Sequence, residues 1–147
     1  MEILIDYIDK HQLLRTKWVG TFNLDDYEES ILYFNALTVK YKIKYIIHDI
    51  SELHYEGGKG DYDSKTISEA ANKRKLIPHP DYAVVFMTQK PKDIVYTYLY
   101  AQEIQLKGNY QHCSTFGKAL ELLFINDPLL VLKIQDYPIK DNIKEMI

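Results

Sequence analysis

Hydrophobic and polar positions along this chain alternate between strand-like and helix-like spacing. The segments 2–8 and 13–21 are rich in strand-favouring residues, and the polar stretch 9–12 between them predicts an opening β-hairpin. Asn23 then precedes a segment in which apolar side chains recur every three or four residues. That spacing predicts a helix that is capped by Asn23 and continues to about Tyr41.

The remainder of the chain repeats this alternation as far as residue 125. The predicted elements are a buried strand over 44–50, a helix from 63 or 64 to 76, a strand over 82–88, a helix from Pro91 to Gly108, a strand over 110–113 and a helix over 116–125. We therefore expect an α/β fold with a mixed, mainly parallel sheet of about five strands and about four helices. A single domain should span 1–147, with its core in about 1–125. The extension over about 128–147 has no clear partner in this scheme, and either an extra strand or a helix would suit it.

Polar residues appear abruptly where the strand 44–50 ends. Asp49 and Ser51 follow an apolar run, and a glycine-bearing loop, 56–61, comes next. Open α/β sheets usually bind their ligands outside the carboxyl ends of the strands. We therefore predict a binding edge that includes Asp49, Ser51 and Ser64, with Ser64 or Thr66 as the cap of the following helix. The segment Thr66–Glu69 also matches a capping box.

Composition and charge narrow the classes of protein that fit. The net charge of -3 and the single cysteine argue against a broad nucleic-acid or anionic-membrane surface and against a disulfide framework. The first residues do not form a signal peptide, and no apolar run approaches the roughly 20 residues that span a bilayer. These features predict a cytoplasmic protein without a membrane span.

None of the candidate chemical motifs is complete. The segment Gly57–Gly60 lacks the spacing of a phosphate-binding loop. His48 and Asp49 are neighbours in a strand and should point to opposite faces, as should His112 and Cys113, so neither pair suits a metal site or a nucleophile with its base. We accordingly expect no metal, no cofactor and no enzymatic activity, and we expect His48 to be a packed or hydrogen-bonded histidine.

The order of elements and two motifs resemble the STAS superfamily, and more closely its SpoIIAA-like branch of small stand-alone proteins. The carriers are the opening hairpin, the strand Ile46–Ser51 and the segment Thr115–Leu123, which matches the last helix of the family. Phosphorylated members carry Asp-Ser-Ser-Gly or Asp-Ser-Thr-Gly at a helix start. Here Asp63–Thr66 stands nearby with Lys and Thr in place of that pattern. The resemblance suggests Ser64 as a regulatory phosphoacceptor, with plain helix capping as the alternative.

The resemblance and the missing motifs together imply a non-catalytic binding or regulatory module. Its partner would be another protein, a second copy of the chain, or both. The alternative is a carrier or sensor of a small apolar, lipid-like ligand, since the SpoIIAA-like branch is similar in fold to lipid-exchange domains. Tyr96 and Tyr100 should share one helix face, with Tyr98 pointing elsewhere. An enclosed apolar cavity near residues 96–106 would favour the alternative.

Overall fold

The computed structural model describes residues 1–54, 64–76, 82–104, 110–136, 139 and 141–143. Within these residues the chain forms six strands and five α-helices. In order along the chain they are β1 (Glu2–Ile8), β2 (Leu13–Thr21), α1 (Leu24–Tyr41), β3 (Tyr45–His54), α2 (Ser64–Lys75), β4 (Ala83–Met87), α3 (Pro91–Glu103), β5 (Tyr110–Cys113), α4 (Phe116–Leu122), α5 (Pro128–Asp136) and β6 (Asp141–Asn142).

The strands form one mixed sheet in the order β5-β4-β3-β2-β1-β6. The neighbours from β2 to β5 are parallel, whereas β1 is antiparallel to both β2 and β6. The α/β class and the opening hairpin are confirmed. The predicted mixed sheet is also present, but it is not mainly parallel, and it has six strands and five helices where about five and about four were predicted. The extension accounts for the difference, because it adds α5 and a short strand whose Asn142 pairs with Leu4 of β1.

Local sequence explains how the opening elements begin and end. Gln12 closes the hairpin in the left-handed conformation, with φ 53°. The Asn23 side-chain oxygen accepts a hydrogen bond of 3.0 Å from the backbone N–H of Asp26, which confirms the predicted cap of α1. Lys42, with φ 55°, ends that helix.

Two predictions about where elements begin and end need correction. The central strand β3 continues to His54, four residues beyond the predicted end at Ile50. Helix α2 begins at Ser64, so Thr66 lies within its first turn and the capping box over 66–69 is not at the helix start. The predicted glycine loop over 56–61 lies outside the described residues.

The core is divided by the sheet into two apolar clusters. The larger one packs α1 and α2 against the sheet through residues such as Ile31, Phe34, Ile46 and Ala70. The smaller one packs α4 and α5 against the opposite face, around Ile47 and other apolar side chains. In the described part of the chain, no helix is both long and apolar enough to cross a membrane.

Candidate functional site

Asp49 and Ser51, which were predicted to bind a partner, bind each other. One oxygen of the Asp49 carboxylate accepts hydrogen bonds from the backbone N–H of Ser51 at 3.0 Å and from its hydroxyl at 2.6 Å. The parallel ladder shifts register here, since Lys17 pairs with Asp49 but Val19 pairs with Glu52. The Asp49 carboxylate thus satisfies a Ser51 amide at the point where the regular ladder is interrupted.

The extra residue of this bulge changes which side chains face α1 and α2. Strict alternation would place residues 46, 48, 50 and 52 on one face of β3. Ile50 and Leu53 instead both line the same cavity, and Glu52 is exposed. The bulge that Asp49 and Ser51 stabilise therefore helps to build the wall of the cavity.

Ser64, the third predicted site residue, is the first residue of α2, and its side chain lies outside the described part of the structure. Its role as a phosphoacceptor or as a cap stays a prediction.

A cavity of about 110 Å³ lies between the sheet and the helices α1, α2 and α3. Nine of its twenty described lining residues are aromatic: Trp18, Phe22, Tyr27, Phe34, Tyr82, Phe86, Tyr96, Tyr100 and Tyr110. Tyr96 and Tyr100 do share one face of α3, whereas Tyr98 is exposed, as predicted. The cavity is therefore rich in aromatic side chains and lies against the face of α3 that carries Tyr96 and Tyr100.

His48 lines this cavity from the central strand and is 8% exposed. The indole nitrogen of Trp18 donates a 3.1 Å hydrogen bond to Nδ1 of His48, and the hydroxyl of Thr16 lies 2.7 Å from the same nitrogen. Because an indole nitrogen can only donate, Nδ1 must accept, and the proton of the neutral ring is on Nε2. Burial lowers the pKa of His48 to about 3, which also favours the neutral ring.

The second ring nitrogen of His48 is the polar atom that the ring can present to the cavity. Within the described residues, no hydrogen bond is made to Nε2 of His48. The prediction of a packed, hydrogen-bonded histidine is confirmed. The ring also offers one N–H donor at the wall of the cavity.

Arg74 brings a buried cation to the same cavity. It is 4% exposed, and it donates hydrogen bonds to the hydroxyl oxygens of Tyr82 and Tyr110. Burial raises the pKa of both phenols, and the Arg74 charge acts in the opposite direction. The hydroxyls of Tyr27 and Tyr100 form a hydrogen-bonded pair nearby, and the Arg74 charge also lowers the pKa of each against the larger effect of burial.

Arg74 was not predicted as a site residue, although its spacing in the sequence indicates a buried position. The residue stands in the basic run Lys73–Lys75, which is typical of a solvated helix end. Yet Ile67, Ala70 and Arg74 follow one another at the three-to-four spacing of a buried helix face. All three line the cavity.

His112 and Cys113 point to opposite faces of β5, as expected for neighbours in a strand. The His112 ring is hydrogen-bonded to the hydroxyl of Thr97 on the cavity side of the sheet. The Cys113 thiol packs with the cluster on the other face and donates to the carbonyl oxygen of Thr115 at 3.3 Å. Burial raises the pKa of the Cys113 thiol. The two side chains therefore cannot act together as a nucleophile and its base.

No group of three or more potential metal ligands occurs among the described residues. Comparison of the chain with protein-family models and with curated proteins gives no match. The cavity and the residues that line it are therefore the features of the molecule that bear on its function.

Proposed function

We propose that this protein is a non-catalytic binding module of STAS-like type that holds a small molecule with an apolar or aromatic body between its sheet and the helices α1, α2 and α3. The observation that carries the proposal is the aromatic cavity, because well-packed interiors contain few voids larger than a water molecule. This cavity of about 110 Å³ is lined by buried and half-buried rings and is partly open to solvent, so a small molecule can reach the rings. Aromatic walls with a few polar groups are also typical of small-molecule sites.

The arrangement of polar groups supports binding and not catalysis. His48 is buried in its neutral form among aromatic rings, and the cavity lacks a paired nucleophile and base among its described residues. The predicted edge at Asp49 and Ser51 is a weaker candidate for a binding surface, because the Ser51 hydroxyl and one oxygen of the Asp49 carboxylate are already bonded to each other. A carrier or a cytoplasmic sensor of a small molecule therefore fits the site better than a module that docks a partner at this edge.

Native mass spectrometry of the freshly purified protein, paired with a denatured run, tests the proposal. A small mass that is retained under native conditions and lost on denaturation is the expected result. The variant Ala70→Leu places a larger side chain in the wall of the cavity and should lose that mass. The matched variant Ala101→Leu, on a half-buried position of α3 outside the cavity wall, should keep it.

Two results together would overturn the proposal. The first is a protein that carries only the mass of its own chain. The second is the absence of any thermal stabilisation by single-ring fragments, because a ligand that binds only the folded state must raise its stability.

A second candidate function is self-association through the outer face of α3. Ile94, Val95, Tyr98 and Leu99 are exposed on this helix. The opposite face of the same helix lines the cavity through Tyr96. A second copy that docks on the outer face would therefore lie close to the ligand site. Light scattering over a range of concentrations tests this candidate: Val95→Glu should give a monomer where the natural chain is a dimer, and Leu32→Glu on α1 is the matched control.

A further inference from the structure

We propose that the cavity binds a neutral single-ring aromatic molecule that carries a hydrogen-bond acceptor such as a carbonyl oxygen, and that this acceptor bonds to the Nε2–H of His48. This inference rests on the proposed function and names the chemical class of the ligand and the residue that anchors it. It starts from the His48 ring, which is hydrogen-bonded through only one of its two nitrogens in the described part of the chain.

That nitrogen is bonded to the neighbouring strand β2. The indole nitrogen of Trp18 donates to Nδ1 at 3.1 Å, and the hydroxyl oxygen of Thr16 lies 2.7 Å from the same atom. Because Nδ1 accepts, the proton of the neutral ring is on Nε2. His48 lines the cavity and is 8% exposed. The wall of the cavity therefore contains a nearly buried N–H donor.

The neighbours of the His48 ring supply no acceptor for this donor. Phe34 and Phe86 lie against it with ring centroids 5.2 and 5.5 Å from its own, and the indole nitrogen of Trp18 can only donate. Among the residues that the structure describes, none accepts a hydrogen bond from Nε2. Most buried polar groups in proteins have a partner, so this N–H is a natural anchor for a ligand.

A donor at this position discriminates between ligands by the group that they bring to it. A ligand that displaces solvent from the cavity and has no acceptor leaves the Nε2–H unpaired. Leaving a buried donor unpaired costs more free energy than an ordinary hydrogen bond gains. Of two molecules with equal shape, the one with an acceptor should therefore gain affinity from His48, and the other should not.

The ionisation of groups in the wall indicates that the ligand is neutral. Burial lowers the pKa of His48, which favours its uncharged form. Burial also raises the pKa of Tyr82 and of Tyr110, and it does so although both phenols are bonded to Arg74, whose charge acts in the opposite direction. An ion among the same rings would meet the same desolvation penalty. A neutral acceptor avoids this penalty and still satisfies the N–H.

The size and the walls of the cavity set the rest of the ligand. The volume of about 110 Å³ is near that of a cavity of about 150 Å³ that is known to bind benzene. Trp18 meets His48 edge to face, whereas the ring of Phe86 is tilted by 33° from that of His48. Such walls favour a flat aromatic ring, which gains from offset and edge contacts. One ring with one neutral acceptor is the ligand that these features select.

Two neutral compounds of nearly the same shape test this inference. Acetophenone carries a carbonyl group where α-methylstyrene carries a carbon–carbon double bond, so only acetophenone brings an acceptor. Each compound is titrated into the natural protein and into His48→Phe, and the dissociation constants are measured from amide shifts in nuclear magnetic resonance spectra. The ratio between the two proteins cancels the different solubilities of the compounds in water.

We expect His48→Phe to weaken the binding of acetophenone about fivefold or more, as the loss of one hydrogen bond allows, and not to weaken the binding of α-methylstyrene. His54→Phe makes the same substitution at an exposed position of the same strand, outside the cavity wall. This control should bind both compounds as the natural protein does.

Nitrogen resonances of the histidine rings give a second measurement, which needs only the natural protein. They should show His48 with its proton on Nε2 and with Nδ1 unprotonated. Acetophenone should shift the Nε2 resonance of His48, and α-methylstyrene should shift it less. If His48→Phe does not fold, this comparison still decides.

The outcomes separate this inference from the proposed function. If the proton of His48 is on Nδ1, or if His48→Phe weakens both compounds equally or neither, the inference fails alone. If neither compound binds while native mass spectrometry shows a retained ligand, the inference fails and the proposed function stands. If neither compound binds and no mass is retained, both fail.

Discussion

The indole nitrogen of Trp18 donates a hydrogen bond of 3.1 Å to Nδ1 of His48, which joins two neighbouring strands at the wall of the cavity. The rings meet edge to face, with centroids 5.4 Å apart. An imidazolium ring has two N–H groups and could not accept this bond. The groups that face His48 from the packed elements, Thr16, Trp18, Phe34 and Phe86, carry no charge. The contact therefore holds His48 neutral.

This neutral histidine predicts a pH dependence of stability. The pKa of His48 is lowered to about 3 in the folded protein, whereas an unfolded histidine titrates near 6.5. Below about pH 6.5 the unfolded chain therefore binds one proton more than the folded chain, so stability falls as the pH falls. Where the unfolded histidine is protonated and the folded one is neutral, His48 should lower the free energy of unfolding by about 1.4 kcal/mol for each unit by which the pH falls. Urea unfolding between about pH 5 and 6.5 measures the slope.

The variant His48→Phe isolates the contribution of the histidine. It keeps a flat ring among aromatic neighbours, and Trp18 can still donate to the Thr16 hydroxyl at 3.1 Å. The unfolding free energy of this variant should depend less steeply on pH, because the contribution of His48 is absent. Equal slopes in the two proteins would mean that His48 is protonated in the fold, and would contradict the assigned tautomer.

Asp49 and Ser51 should matter for stability and not for the ligand. Asp49→Ala removes the acceptor of two hydrogen bonds and should cost about 1–2 kcal/mol of unfolding free energy. Ser51→Ala removes only the hydroxyl bond and should cost less. Glu121→Ala, which breaks an exposed ion pair with Lys118, is the control and should change little.

The readout that separates the two roles is ligand retention under native conditions. Both Asp49→Ala and Ser51→Ala should keep the bound mass of the natural protein, as long as each remains folded. Loss of the bound mass without loss of stability would restore Asp49 as a binding residue.

The elements that sequence could predict are those that depend on local pattern. The cap at Asn23 and the buried strand through Ile46 and Ile47 follow from short-range chemistry, and both are present. The bulge after Asp49 was not predicted, because strict alternation places Ile50 and Leu53 on opposite faces. One inserted residue breaks that alternation, and a single sequence does not mark where it falls.

The cavity depends on residues that are far apart in sequence. Trp18, His48 and Arg74 stand on three different elements, and only the parallel pairing of the strands and the packing of α2 bring them together. The local sequence around each of these residues is typical of an ordinary strand or helix, so it does not indicate a cavity. The extension was also beyond local pattern, because the two residues of β6 are defined only by their pairing with β1.

The phenols of the tyrosines around Arg74 should not ionise while the protein is folded. Burial raises the pKa of Tyr27, Tyr100 and Tyr110, so these phenols should stay protonated while the exposed ones of the thirteen ionise. The folded state then holds protons that the unfolded state has lost, so stability falls as the pH rises above about 10. Tyrosinate absorbance should therefore show a late step that coincides with loss of the far-ultraviolet dichroism signal.

Substitution Tyr100→Phe tests the assignment of that late step. It keeps the ring in the cavity wall and removes one phenol, so the amplitude of the late step should shrink by the contribution of one tyrosine. A single reversible phase that includes every tyrosine, with the dichroism signal still native, would contradict the burial of these hydroxyls.

Phe124 is a bulky residue in a backbone conformation that suits glycine. It follows α4 with φ 58° and is 96% exposed. Its own N–H bonds to the Glu121 carbonyl oxygen at 3.0 Å, and the N–H of Ile125 bonds to the Leu120 carbonyl oxygen at 2.9 Å, which is the Schellman arrangement of a helix end. A side chain with a Cβ is strained there by about 1–2 kcal/mol.

Replacement of Phe124 by glycine should therefore raise the free energy of unfolding by about 1 kcal/mol, since the strain is relieved and the exposed ring loses few contacts. Glu121→Gly is the matched control within α4, where glycine has no such advantage and should cost about 1 kcal/mol. Urea unfolding of the two variants gives both values. A loss of stability in Phe124→Gly would show that the ring makes a stabilising contact that outweighs the strain of its backbone.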